Sequence, residues 1–226
     1  DSLPRHALEI RALTEPEAVL GLLPAELDRA SKAGDAREQA LLHLAHANAC
    51  RVMADWHCQH MAGGAAAAAA READDPILEI RSLIAQARGL IALHDFTRGE
   101  QLLGAAQALL AETPSPDLSA DVFLAYSSLS EFIGKHESGL RYAGLGLDAL
   151  GKVPAPSVRT RLLRNQARAQ TRLGQMAEAR QSLVAAQAAA QALVDPKLHA
   201  ELALETARVA RLTGDIAEQV RMGDRI

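Results

Sequence analysis

The sequence predicts an all-α protein that repeats one helical hairpin about six times. Hydrophobic residues make up 49% of the 226 residues, but aromatic residues only 3%, so the core must consist mainly of Ala and Leu. Both residues have high helix propensity, and the small Ala side chain lets helices pack closely. No long alternating run of Val, Ile or Thr predicts a strand.

Proline recurs with a period of 40 residues along most of the chain, at Pro76, Pro116, Pro156 and Pro196. The residues before these prolines include Asp75, Ser115 and Asp195, which are good helix N-caps. Proline itself suits the first helical turn. We therefore expect a helix to begin at each of these prolines.

Two further series keep the same period. One holds only small residues, as expected where a neighbouring helix crosses closely: Ala7, Ala47, Ala87, Ser127, Ala167 and Ala207. The other marks the turn inside each hairpin: Thr14, Ala54, His94, Gly134, Gly174 and Gly214. Together they predict one domain over 1–226, with repeats at 1–35, 36–75, 76–115, 116–155, 156–195 and an incomplete 196–226.

This pattern resembles tetratricopeptide repeats, in their longer form of about 40 residues. Large residues at Leu83, Phe123 and Leu163 precede the small ones on first helices, and second helices carry small residues at Gly99, Gly139 and Ala179. The resemblance implies a right-handed superhelical solenoid whose first helices line the concave surface. It also implies a non-catalytic protein-interaction or sensory role. Similar repeats occur in larger bacterial signalling proteins such as diguanylate cyclases; a stand-alone adaptor is the alternative.

Arginine gathers on the predicted first helices, although the net charge is −4. Helical spacing and the repeat register define the predicted partner-binding set: Arg88, Arg161, Arg164, Asn165, Arg168, Arg172, Arg208 and Arg211. The planar guanidinium group pairs bidentately with carboxylates, so this set predicts a groove for a protein or an acidic peptide. The alternative is a solvated face whose arginines pair within the chain, with Asp121, Glu131, Glu201 and Glu205.

One stretch, 43–61, holds four of the eight histidines and both cysteines. In the repeat register, His43, His46 and Cys50 face the partner helix, and His57 and His60 begin the second helix. The spacing matches no zinc signature, neither HExxH nor paired CxxC. We therefore interpret these residues as packing residues, with His57, Cys58 and His60 largely exposed; a metal or redox role is the alternative.

Several function classes are not expected. The negative net charge predicts no attraction to nucleic acid, and no apolar run approaches the roughly 20 residues of a membrane span. We find no catalytic motif and expect neither an enzyme active site nor a cofactor. Two cysteines make no disulfide framework, which favours a cytoplasmic location; a removed leader would instead place the protein in the periplasm. Exposed repeat ends suggest a homodimer.

Overall fold

The computed structural model describes residues 7–214, which form eleven helices and no strand. The helices are α1 (Ala7–Arg11), α2 (Pro16–Ala33), α3 (Ala36–Val52), α4 (Trp56–Glu72), α5 (Pro76–Ala92), α6 (Phe96–Glu112), α7 (Pro116–Phe132), α8 (His136–Leu150), α9 (Pro156–Arg172), α10 (Met176–Ala190) and α11 (Pro196–Leu212). The first five predicted repeats hold two helices each, and α11 opens the sixth, so the predicted fold class, an all-α solenoid, is confirmed. The remainder of the incomplete repeat 196–226, after Gly214, lies outside the described residues.

Prolines and positive backbone angles set the helix boundaries. Helices α5, α7, α9 and α11 begin at the four periodic prolines. Inside the hairpins the chain turns through left-handed residues at the predicted series: Ala54, His94, Gly134, Gly174 and Gly214. At the first of these turns, Ala54 N donates to Arg51 O and Asp55 N donates to Cys50 O. These two hydrogen bonds end α3 and provide donors for carbonyl groups that have no partner within the helix.

The chain divides into two compact units, Asp1–Leu118 and Ser119–Ile226. In the N-terminal unit, first helices α1, α3 and α5 contact one another in sequence, and second helices α4 and α6 pack against them. The C-terminal unit repeats this arrangement with α9 and α11 in contact and α10 packed against both. The prediction of a single domain stays a prediction.

The core of each unit is built from Ala and Leu, as the composition predicts. In the N-terminal unit the alanine run of α4 buries Ala66, Ala69 and Ala70 against Leu44 and Leu78. In the C-terminal unit Leu183 and Ala186 of α10 meet Leu202 and Val209 of α11. The predicted small series is buried at Ala47, Ala87, Ser127 and Ala167, whereas Ala7 is exposed and Ala207 is half-buried. The Oγ of Ser127 donates to the carbonyl of Gly139 at 2.9 Å.

One charged pair lies inside the N-terminal unit, and the sequence does not predict it. Glu9 of α1 and Arg81 of α5 form an ion pair whose side chains are 7% and 8% exposed. Asn48 of α3 lies between them in the layer of first helices, and its amide nitrogen is 3.5 Å from Glu9 Oε1. The ion pair and Asn48 together therefore link three successive first helices, α1, α3 and α5.

Within residues 7–214, none of the helices is both long enough and apolar enough to cross a membrane.

Helix capping in the repeats gives a stability prediction. Asp55 and Asp95 cap α4 and α6 by accepting from the amides of Cys58 and Arg98, whereas Lys135, at the same repeat position, makes no cap bond. We expect Lys135→Asp to stabilise the protein by about 1 kcal/mol, because it supplies a cap and removes a cation from a helix N-terminus. Urea unfolding followed by circular dichroism measures this change. Lys135→Ala is the control, since it removes the cation without adding a cap; equal effects of the two variants would contradict the capping argument.

Candidate functional site

The candidate site is a group of arginines in the C-terminal unit, which we call the arginine cluster: Arg161, Arg164, Arg168 and Arg208. The first three lie on α9 at helical spacings of three and four residues, so they share one face. Arg208 lies on α11, one repeat after Arg168, and α11 contacts α9 directly. The repeat register therefore brings arginines from two first helices together, as predicted.

Three carboxylates from the start of α11 and its first turns meet these arginines. Arg161 Nη2 lies 2.8 Å from Asp195 Oδ2, and Arg164 forms an ion pair with Glu201. Arg168 Nε lies 3.5 Å from Glu205 Oε1. Asp195 has a second task, because its Oδ1 caps α11 by accepting from Leu198 N at 3.0 Å.

The cluster is only partly satisfied by hydrogen bonds. Arg208 Nη1 lies 3.5 Å from Glu205 Oε2, yet neither atom makes a hydrogen bond within the described part of the chain. Arg164 Nε is likewise buried without a hydrogen-bond partner there. Buried polar atoms in native proteins are usually hydrogen-bonded, so this density of open donors is unusual.

The arginines of the cluster share their carboxylates. In these ion pairs Arg168 and Arg208 both contact Glu205, whereas Arg161 contacts Asp195 and Arg164 contacts Glu201. Burial, followed by the charges of Arg161 and Arg168, lowers the pKa of Arg164 to about 10. Arg164 still carries its proton at neutral pH, so its positive charge persists.

The other members of the predicted set lie elsewhere. Asn165 is buried beneath the cluster, where its Nδ2 donates to Ser128 Oγ at 3.0 Å, so it acts as a support. Arg172 and Arg211 are exposed near the C-terminal ends of α9 and α11. Arg88 is half-buried on α5, in the N-terminal unit.

These contacts agree in part with the alternative interpretation, in which the arginines pair within the chain, and the partner-binding groove stays a prediction. Two of the four acidic partners named in the alternative, Glu201 and Glu205, do pair with the arginine cluster. Glu131 instead contacts His136, with 3.2 Å between Oε1 and Nδ1. Asp195 was expected only as a helix cap; its position at the start of α11, six residues before Glu201, was the available signal.

A second group of chemically active side chains lies in the N-terminal unit, across the α3–α4 turn. Cys50 and Cys58 form a disulfide with 5.7 Å between their Cα atoms. His46 Nε2 lies 3.4 Å from Cys58 Sγ. We call His46, Cys50 and Cys58 the thiol–imidazole cluster.

The structure corrects part of the packing interpretation. Cys50 is buried and His57 exposed, as expected, but Cys58 and His60 are half-buried rather than largely exposed. The disulfide was not expected either. The turn at Ala54 folds α4 back along α3, so the last turns of one helix and the first turn of the next bring residues eight apart together.

Comparison with known proteins identifies only the fold of the chain. No protein-family model and no curated protein matches the chain. Among solved structures, the crystal structure of BtubC (BKLC) from P. vanneervenii matches with a TM-score of 0.69. The match covers 94% of this chain and 89% of that chain, at 16% sequence identity. The chain is an all-helical repeat protein. The narrower assignment to tetratricopeptide repeats stays a prediction.

Proposed function

We propose that the chain is a non-catalytic interaction scaffold and that the arginine cluster binds an acidic segment of a protein partner. The observation that carries this proposal is that Arg168 and Arg208 share one carboxylate, Glu205, and that Arg208 Nη1 and Arg164 Nε make no hydrogen bond within the described residues. Repeat proteins commonly use their stacked helices as extended binding surfaces.

Carboxylate is the ligand chemistry that the cluster favours. Its arginines already hold three carboxylates of the chain itself, so their positions suit this group. An incoming carboxylate matches these internal carboxylates in charge, whereas a phosphate group carries nearly twice that charge. A partner segment rich in Asp and Glu therefore fits best.

Binding proceeds by exchange of carboxylates in this proposal. The Glu201 side chain is 39% exposed while its partner Arg164 is 16% exposed, so Glu201 is the internal carboxylate that solvent and a ligand reach most easily. An incoming carboxylate takes its place on Arg164 and extends toward Arg208. Glu201 thus keeps the buried guanidinium group neutralised when no partner is bound, which avoids an unpaired buried charge.

Two substitutions with opposite effects test the exchange. With a fluorescently labelled peptide of alternating Glu and Gly as the probe, we expect Arg164→Lys combined with Arg208→Lys to weaken binding about tenfold, because lysine lacks the planar fork. Glu201→Gln should strengthen binding about threefold or more, because it removes the internal competitor. Fluorescence anisotropy at fixed ionic strength measures both.

Exposed arginines of the same helices supply the matched control. Arg172→Lys combined with Arg211→Lys changes two residues outside the cluster and should leave the affinity unaltered. Equal weakening by both double variants would mean that the peptide responds to general positive charge, and the proposed site would be wrong. Failure of the wild-type chain to bind the peptide would contradict the proposal as well.

We further propose that the repeats form the regulatory region of a larger bacterial signalling protein such as a diguanylate cyclase. The resemblance of the 40-residue repeat pattern supports this placement. The stand-alone adaptor remains the alternative, and the sequence that the gene encodes after residue 226 distinguishes the two. An output domain there supports the regulatory role, and a stop codon directly after residue 226 contradicts it.

A further inference from the structure

The thiol–imidazole cluster joins three side chains that bind soft and borderline metal ions. His46 lies one helical turn before Cys50 on α3, so both side chains project from the same face toward α4. Cys58 lies in the first turn of α4, where Asp55 fixes the helix start by accepting from the amide of Cys58 at 2.9 Å. The ligand positions are therefore set by a capped helix and a tight turn.

The spacing of the ligand atoms suits a tetrahedral ion. His46 Nε2 and the two Sγ atoms all lie within 4.8 Å of one another. Ligand atoms around a tetrahedral zinc ion, with bonds near 2.0–2.3 Å, are about 3.5–3.8 Å apart. Once the disulfide is reduced, a small separation of the two sulfur atoms would bring the three ligands to this spacing.

The cluster is accessible to an ion from one side. Cys58 and His46 are half-buried, whereas Cys50 is 1% exposed. An ion therefore reaches the site from the side of Cys58.

We propose that the reduced thiol–imidazole cluster binds one zinc ion and that formation of the Cys50–Cys58 disulfide releases it. The cluster then supplies two thiolates and one neutral imidazole, and water supplies the fourth ligand, as in open zinc sites. This replaces the packing interpretation of these residues. It is independent of the arginine cluster, which belongs to the other unit.

The redox step balances with ordinary thiol chemistry. A dithiol reductant breaks the S–S bond by transferring two electrons and two protons, which leaves two thiols and an oxidised reductant. Each thiol loses its proton on binding zinc, and His46 binds through Nε2 while its proton stays on Nδ1. In the reverse direction hydrogen peroxide takes two electrons from the two thiolates and, with two protons, becomes two water molecules; the new disulfide no longer holds the ion.

The test compares reduced and oxidised full-length chain by native mass spectrometry after addition of zinc. We expect one zinc ion per reduced chain and none on the oxidised chain. Cobalt, used as a spectroscopic substitute, should give thiolate-to-metal charge-transfer absorption in the reduced protein only. Equal zinc content in both redox states, or no zinc in the reduced chain, would overturn the proposal.

Variants assign the ligands. His46→Gln should lower zinc affinity at least about tenfold, and Cys58→Ser should lower both the zinc affinity and the charge-transfer absorption, whereas His57→Gln should change neither. His57 is the matched control because it is exposed and adjacent to Cys58. Circular dichroism confirms that each variant is folded, and Cys58→Ser is preferred over a change at the buried Cys50. Undiminished zinc binding by folded His46→Gln and Cys58→Ser would show that other histidines hold the ion and would refute the site.

Discussion

Arg81→Met is expected to lower the free energy of unfolding by about 3–5 kcal/mol, since it leaves a buried carboxylate without its cation. The Glu9 side chain is 7% exposed and its Oε2 already lacks a hydrogen bond within the described residues. After the substitution, the Asn48 amide nitrogen remains 3.5 Å from Glu9 Oε1 among the described residues. Urea unfolding followed by fluorescence of Trp56, the single tryptophan of the chain, reports on this unit.

A double variant separates the loss of the pair from the loss of packing. Glu9→Leu combined with Arg81→Met replaces both charges with apolar groups and should recover most of the lost stability. The exposed pair of Lys32 and Asp28 on α2 is the control, because Lys32→Ala should change stability by less than about 0.5 kcal/mol. A double variant as unstable as Arg81→Met would show that the charge of Glu9 is not the cause.

Gly89→Ala is expected to lower the free energy of unfolding by about 2–3 kcal/mol. A Cβ atom on Gly89 of α5 would lie 2.7 Å from the backbone nitrogen of His60 on α4. A Cβ atom on Gly63 of α4 would likewise lie 2.6 Å from the backbone nitrogen of Gln86 on α5. Backbone atoms cannot rotate away, so the two helices must separate and lose packing along their length.

The control for Gly89→Ala is a glycine in the same unit with open space around it. A Cβ atom on Gly104 of α6 would have no neighbour within 4 Å. Gly104→Ala should therefore raise stability by about 0.5–1 kcal/mol, the ordinary gain of alanine over glycine in a helix. The same unfolding measurement applies, and a stabilising Gly89→Ala would contradict the close contact between α4 and α5.

The repeat architecture could be predicted from the sequence because its signals are local. A periodic proline fixes where a first helix begins, and glycines at Gly134 and Gly174 supply the left-handed turn that an α-helix end favours. Even Ala54 and His94, which are less suited to positive φ, adopt it because the repeat register places them there. Backbone geometry thus follows from residues only a few positions away.

The pairing of side chains could not be predicted, because it depends on distant residues. Glu9 meets Arg81 across 72 positions, and only the stacking of first helices brings them together. The arginine cluster was predicted as a stripe, but whether its members pair within the chain depends on where α11 places Glu201 and Glu205. The residues of the thiol–imidazole cluster match no zinc signature in the sequence. Only the turn between α3 and α4 in the structure shows that they lie together.

The most direct test of the scaffold proposal is an NMR titration of the arginine side-chain Nε–H signals with the Glu–Gly peptide. The proposal predicts saturable shifts of the Arg164 and Arg208 signals with one common midpoint, because the incoming carboxylate replaces Glu201 on Arg164 and extends toward Arg208. Arg172 and Arg211 should remain unchanged. Shifts confined to those two exposed arginines, or no saturable shift in the arginine cluster, would contradict the proposed binding site.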